Sequence, residues 1–434
     1  MFPRPSPHAR PHGPRPSARR ARRSPPELSP AVSWPTWWSA PPYQRLKAPR
    51  PLARALYIHW PFCAKKCPYC DFNSHVRAAV DHAAWRDALL ADMRAEAAVA
   101  GGAALRSIFF GGGTPSLMPP ALVEALLAEA ERLWGFSEGI EITLEANPSS
   151  VEAASFAALA GAGINRVSLG VQSLEDETLR WLGRLHGADE ALAALEVAQA
   201  QFARVSFDLI YALPGQSPRE WEAQLARALG FGTSHLSLYQ LTIEPGTRFA
   251  TDVRRGVFAP LDDDAAAELY DLTQAMTEAA GLPAYETSNH ARPGAESRHN
   301  LTYWRYEDYA GIGPGAHGRR GGFATVRHRK PENYLAAVAE RGHGIAEQRA
   351  LPLAEQAAEA LLMGLRLTEG VDLAALAGRF AMRRADLVDE GALARLRGLG
   401  LVWTAGERIG VAPPGRGVLD ALLGEIVADG LVAA

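Results

Sequence analysis

The sequence predicts an α/β protein: a partial (β/α)6, TIM-like barrel followed by a smaller, mostly helical, winged-helix-like C-terminal domain. Two observations carry this prediction. Six short β-type runs alternate with helical stretches over the first two thirds of the chain, which implies a parallel sheet with crossover helices. From Leu351 onward that alternation gives way to helices joined by short polar turns.

The six runs are Leu56–Trp60, Ser107–Phe110, Glu141–Glu145, Arg166–Gly170, Val205–Tyr211 and His235–Leu241, rich in Val, Ile, Phe and Tyr. Between them, Ala121–Trp134 is the clearest helix. Leu122, Val123, Leu126, Leu127, Ala130 and Leu133 make one apolar stripe, and Pro119 and Pro120 suit its first turn. Arg77–Ala100, Glu152–Ala162, Asp189–Gln201, Pro218–Leu229 and Asp263–Ala280 have the same helical character. Right-handed crossovers bend such a sheet toward a barrel, and a complete eight-fold barrel needs two more units. From Tyr285 to Arg329 the rhythm breaks down. Farther on, Gln356–Leu367 and Arg384–Leu399 are predicted helices, and Leu401–Thr404 pairs with Ile409–Val411 as a hairpin, a module read as packing support. The expected division is a tail over 1–50, the barrel over 51–285, an irregular segment over 286–345 and the helical domain over 346–434.

Of 434 residues, 47% are apolar and 21% charged, which is ordinary globular composition. The net charge of -3 hides an asymmetry. Residues 1–26 hold no acid and seven arginines; 45 basic groups less those 7 leave 38 against 48 acidic, a balance of about -10 for the remainder. An acidic body argues against broad nucleic-acid binding. The interleaved prolines of the tail oppose the amphipathic helix of a transit peptide, and a disordered tail or over-extended start is expected. No apolar run is long enough for a transmembrane helix, and a cytoplasmic location is the default expectation.

The 3 cysteines all fall in Cys63-Ala64-Lys65-Lys66-Cys67-Pro68-Tyr69-Cys70. An odd number in one loop is no disulfide framework. A zinc knuckle would want four ligands in paired spacing, and structural thiols would not cluster. Three thiolates can cap three irons of a [4Fe–4S] cubane, leaving the fourth open to an amino acid's amine and carboxylate. A second motif, Gly111-Gly112-Gly113-Thr114-Pro115-Ser116, follows the second strand. Alone it is a weak signal; one βα unit after the cysteine loop, it suits close approach of backbone to a ligand. Glu145, Gln172 and Asp208 lie in or just after strands three, four and five, with Arg184 on a connection, at the end of a barrel where sites form.

The segment Tyr57-Ile58-His59-Trp60-Pro61-Phe62-Cys63-x3-Cys67-x2-Cys70 resembles the signature of radical S-adenosylmethionine (SAM) proteins. More narrowly, it resembles the branch that contains oxygen-independent coproporphyrinogen III oxidase and related heme chaperones. The resemblance runs from about Leu56 to the C-terminus. It implies a [4Fe–4S] cluster on Cys63, Cys67 and Cys70, with SAM on the open iron. It further implies cofactor contacts at Tyr57, Tyr69, Gly112, Gly113, Thr114, Glu145, Gln172, Arg184 and Asp208.

His299-Asn300-Leu301-Thr302-Tyr303-Trp304 resembles the His-Asn-x2-Tyr-Trp pattern of the chaperone branch. It makes His299, Tyr303 and Trp304 heme candidates, with His317 a second candidate ligand. The nearby Gly311–His317 stretch is expected to face the same cavity, while His59, His186, His235 and His290 are expected to be structural or cofactor-adjacent. The oxidase branch carries a further cysteine two residues beyond the third cluster ligand, where this chain has Phe72. The resemblance therefore favours a protein that binds heme and transfers it to an unidentified acceptor protein. The alternative is oxidative decarboxylation of coproporphyrinogen III, which cleaves SAM to a 5′-deoxyadenosyl radical; in the carrier reading SAM cleavage stays open. Radical modification of RNA is disfavoured by the acidic body. A homodimer and peripheral membrane contact remain open.

Overall fold

The computed structural model describes residues 53–100 and 102–432; the predicted tail lies outside the described residues. All six predicted strands are present as β1 (Ala55–Trp60), β2 (Leu105–Gly112), β3 (Phe136–Ala146), β4 (Arg166–Gln172), β5 (Arg204–Tyr211) and β6 (His235–Gln240). They are parallel, adjacent and in sequential order. Ile58, Phe110, Leu144, Leu169 and Leu209 are buried along them, as expected where helices cover a parallel sheet.

Residues 286–345, expected to be irregular, contain regular structure. They supply β7 (Asn289–Ala291), a helix at Arg298–Trp304, β8 (Tyr309–Ile312), β9 (His317–Arg320) and β10 (Phe323–Arg327), then a helix at Pro331–Arg341 and the start of β11 (Ile345–Ala350). The sheet runs β11-β10-β9-β8-β1-β2-β3-β4-β5-β6-β7 and does not close. β8 pairs parallel with β1, outside chain order, while β9 to β11 continue antiparallel and β7 runs antiparallel beside β6. These strands are short and rich in Gly and Arg, which hid them from a reading based on apolar runs.

Two helices differ from expectation for local reasons. The first begins at His82, because Asp81 accepts from the Ala83 and Ala84 amides as a cap. The second predicted stretch is two short helices, Ser150–Ala153 and Phe156–Gly161, entered by a Ser149 cap.

The antiparallel extension is joined to the helix His82–Ala100 by buried charges. Arg327, fully buried, donates to Asp92 (3.2 Å) and Glu96 (2.7 Å). Arg320 pairs with Glu96, and the Tyr334 hydroxyl donates to Asp92 at 2.9 Å. The C-terminal region has its own core, including Leu361, Leu373, Phe380, Leu396, Ile409 and Leu422. Its hairpin, Val402–Ala405 with Arg408–Val411, gains a third strand, Val371–Asp372. The predicted helix 384–399 is split where Asp389 caps a new start at Glu390.

Removing one partner from a buried ion pair leaves an uncompensated charge. Arg327→Met is expected to destabilise the fold by about 3–5 kcal/mol in urea denaturation. A loss under about 1 kcal/mol would show that Asp92 and Glu96 do not depend on it.

Candidate functional site

The cysteine loop leaves β1 at Pro61 and is stapled at both ends. Phe62–Cys63 pairs in parallel with His75–Val76, and the His75 amide donates to the Pro61 carbonyl at 2.7 Å. Within it, the Cys70 amide donates to the Cys67 carbonyl. All three thiols are free and half-buried. Burial pushes the Cys63 and Cys70 thiols above their ordinary value.

The glycine turn lies directly against this loop. The Gly113 amide donates to the Trp60 carbonyl (2.7 Å) and the Thr114 amide to that of Phe62 (2.8 Å). At Gly112, φ is +114° and a Cβ would come within 2.5 Å of the His59 ring, so both backbone and space demand glycine. The Thr114 hydroxyl points to Cys63 Sγ at 3.4 Å and accepts from Asn147 Nδ2.

Arg184 reaches the loop from the other side. Its Nη1 is 3.5 Å from Cys67 Sγ, while Nη2 donates to Asn147 Oδ1 (2.5 Å) and the Gly170 carbonyl (2.8 Å). Its Nε is buried without a partner. Gln172 closes β4 with φ at +71°, a left-handed conformation that is strained for a side-chain-bearing residue. Its amide nitrogen and Arg184 both crowd Gly170. Tyr69 packs against Phe249.

Glu145 accepts from the Gly112 amide at 3.2 Å. Burial, with the Asp208 charge second, pushes its carboxyl from 4.5 to about 8. Asp208 accepts from Ser168 and is itself raised to about 6 by burial. Tyr57 bonds His59 Nδ1 at 3.0 Å and stacks on Phe109. Burial lowers His59 to about 4, so its ring is neutral at physiological pH. The structure thus gathers the predicted cofactor contacts around one loop, with Asp208 set deeper in the sheet.

Sequence reasoning missed two asparagines that hold the loop. His59, expected to be structural or cofactor-adjacent, bonds the Asn73 carbonyl through Nε2 at 2.9 Å. Asn73 Nδ2 donates to the Pro314 and Arg329 carbonyls, both at 2.9 Å. Asn147, seated by Glu152, links Thr114 to Arg184. Asn73 follows Cys70 by three positions, so proximity to the motif was the available signal.

The heme candidates are not gathered in the same way. His299 is 1% exposed; its Nδ1 lies 3.0 Å from the Ser107 hydroxyl and its Nε2 2.6 Å from that of Tyr303. Trp304 packs with Tyr285, Ala291 and Leu367, whereas Tyr303 lines a separate cavity. His317 is exposed. The Gly311–His317 stretch faces the cysteine loop: a Cβ on Gly313 would strike the His59 carbonyl, and one on Gly315 the Asn73 amide. His186 and His235 bond the Val171 carbonyl and the Tyr285 hydroxyl, respectively.

Among the described residues, no three His, Cys, Asp or Glu side chains converge as a single metal ion requires. A cubane instead takes each sulfur on a different iron. Three free thiols in one loop, a glycine cradle and an unpartnered buried guanidinium nitrogen fit such a cluster with an amino-acid ligand.

The Radical SAM superfamily profile matches residues 57–227, and that of the HemN C-terminal domain residues 351–418. Six adjacent parallel strands, the first entering a three-cysteine loop, agree with that radical SAM match. Heme chaperone HemW of Bacillus subtilis is 34% identical over 379 residues, covering 86% of this chain and 100% of that protein. Radical S-adenosyl methionine domain-containing protein 1, mitochondrial, of Bos taurus is 42% identical over 333 residues, 75% of each chain. The chain therefore belongs to the radical SAM superfamily and, within it, to the family of the heme chaperone HemW. Coproporphyrinogen III oxidase (HemN) from Escherichia coli shares the fold, with a TM-score of 0.73 at 24% identity over 86% of this chain and 89% of that one. Membership of the superfamily implies a [4Fe–4S] cluster and SAM.

Two measurements probe this arrangement. Asn73→Ala is expected to speed loss of reconstituted iron to a chelator about tenfold, as outer-shell changes do; retention at the wild-type rate would leave Asn73 without that role. Glu145 takes up a proton on folding between pH 4.5 and about 8. Stability of the cofactor-free protein should therefore fall as pH rises through that window. In Glu145→Gln the slope of Tm between pH 5 and 8 should flatten, and an unchanged slope would refute the assignment.

Proposed function

We propose that this protein binds heme and passes it to an acceptor protein, and that it carries a [4Fe–4S] cluster with SAM beside the glycine turn. Phe72 is the observation that carries the choice between carrier and oxidase. It occupies the position of the oxidase branch's additional cysteine, on the cysteine loop itself, and is 60% exposed. Extensive similarity to the heme chaperone of Bacillus subtilis supports the same reading. A cytoplasmic setting, where thiols stay reduced, belongs to it as well.

In this reading Cys63, Cys67 and Cys70 hold three irons. Gly112 and Gly113 offer backbone to the methionyl group, and Thr114 steadies Cys63. Arg184 supplies a guanidinium for a carboxylate, with its buried Nε aimed at no protein acceptor. Glu145, Gln172 and Asp208 face the ribose side, and Tyr57 and Tyr69 flank the cofactor. Glu145, neutral at pH 7, can donate as well as accept a hydrogen bond. When bound, the cluster supplies one electron to the sulfonium, the opening of radical chemistry. His299, Tyr303 and Trp304 are the heme candidates of this reading; His299 bonds the Tyr303 hydroxyl, and Trp304 packs the same helix against Leu367.

Hemin titration and anaerobic conversion of coproporphyrinogen III, run on one reconstituted sample, test this proposal. The expected result is a Soret band saturating near one heme per chain, with no protoporphyrinogen IX formed. Absence of the band, or turnover matching an authentic oxidase, would overturn it.

A further inference from the structure

Each cysteine of the loop has a polar side chain beside its sulfur. Thr114 donates to Cys63 at 3.4 Å, and its oxygen is also engaged by Asn147. Arg184 meets Cys67 at 3.5 Å while bonded to Asn147 and the Gly170 carbonyl. Ser74 differs from both. It is 7% exposed, and its hydroxyl oxygen is buried without a completed hydrogen bond among the described residues. It stands beside both Cys63 and Cys70, and holds each thiol below where burial alone would put it. The two sulfurs share one hydroxyl, and neither takes it fully.

Backbone fixes where Ser74 stands. Its amide donates to the Phe72 carbonyl at 2.7 Å, a tight turn just after Cys70. The next residue opens the short strand His75–Val76, which pairs with Phe62–Cys63. A serine in a turn ordinarily spends its hydroxyl on nearby backbone. This one does not, and a buried hydroxyl left unbonded is costly. From this arrangement we infer that Ser74 is a donor reserved for a sulfur of the bound cluster, and that it sets how readily the cluster accepts an electron. The inference rests on the cluster reading and adds a residue that tunes it.

The chemistry of sulfur explains why the hydroxyl is spare before the cluster binds. A neutral thiol is a weak acceptor, whereas a thiolate takes a charge-assisted hydrogen bond. Reduction of the cluster adds one electron, taken from an external reductant, and breaks no bond. Negative charge then rises on the sulfurs. A hydroxyl dipole aimed at them favours the reduced form, and hydrogen bonds to the sulfurs are one of the levers on such potentials. Burial leaves this dipole little screened.

Mediated spectroelectrochemical titration of the reconstituted full-length protein, with no substrate present, tests this role. Ser74→Ala should keep the wild-type iron content. At a fixed applied potential its ratio of reduced to oxidised cluster should fall about tenfold, which is about 59 mV for one electron. Ser74→Thr, which keeps the hydroxyl, should titrate as the wild type does. An unchanged potential in Ser74→Ala overturns the inference, and so does an equal shift in both variants, which would trace to packing. Loss of iron from Ser74→Ala also counts against it, because a donor that only tunes leaves the three thiolates in place. If the wild-type protein itself reconstitutes no [4Fe–4S] cluster, it is the cluster reading that has failed.

Discussion

Two carboxylates buried in the first helix dictate how one end of this sheet is assembled. Asp92 and Glu96 are 0% and 1% exposed. Buried charges of this kind cost several kcal/mol each unless they are paired and hydrogen-bonded. Their partners, Arg320 and Arg327, arrive 224 and 235 positions later in the chain. The helix and the antiparallel extension must therefore come together as one unit. Asp92 also accepts from the Gly313 and Gly344 amides, so the same carboxylate fixes the loop between β8 and β9. That loop lies on His59 and Asn73, and these hold the exit of the cysteine loop. The cysteine loop is thus positioned by the far half of the chain as well as by its own sequence neighbours.

This dependence explains which parts were legible in the sequence. The six parallel strands announce themselves as runs of apolar and β-branched residues, because both faces of each are covered. The three cysteines and the glycine turn are legible because their chemistry constrains residue type at fixed spacing. The antiparallel extension is not legible. Its buried face carries Arg320, Thr325 and Arg327, whose charges and hydroxyls look solvent-facing until Asp92 and Glu96 are seen opposite them. Asn73 and Asn147 escape for a related reason. An asparagine in a loop has a ready local explanation as a turn former, and only tertiary structure reveals the carbonyls and hydroxyl it serves.

The electrostatics of the site follow from the same enclosure. Glu145 and Asp208 lie deep enough that burial outweighs their hydrogen bonds, and each carboxyl holds its proton to a higher pH than in water. Arg184 remains close by, tied to Asn147, Gly170 and Cys67. A neutral carboxyl beside the glycine turn and a guanidinium beside the cysteines present different polarity to the two ends of a zwitterionic ligand. That division is set by burial depth, the largest cause of the raised values at Glu145 and Asp208.

The His-Asn-x2-Tyr-Trp segment takes on a different meaning in three dimensions. In sequence, a histidine beside aromatics suggests an iron ligand and its walls. In the structure each side chain joins different parts. His299 ties Ser107 of β2 to Tyr303, Asn300 reaches the Tyr285 hydroxyl at 3.3 Å, and Trp304 packs on Leu367 of the C-terminal region. His299 also stacks on Phe109, which stacks on Tyr57, the residue bonded to His59. The motif is a joint between the sheet that carries the cysteine loop and the domain that helps to wall the cavity. With Ser107 on one ring nitrogen and the Tyr303 hydroxyl on the other, His299 couples β2 directly to the helix Arg298–Trp304.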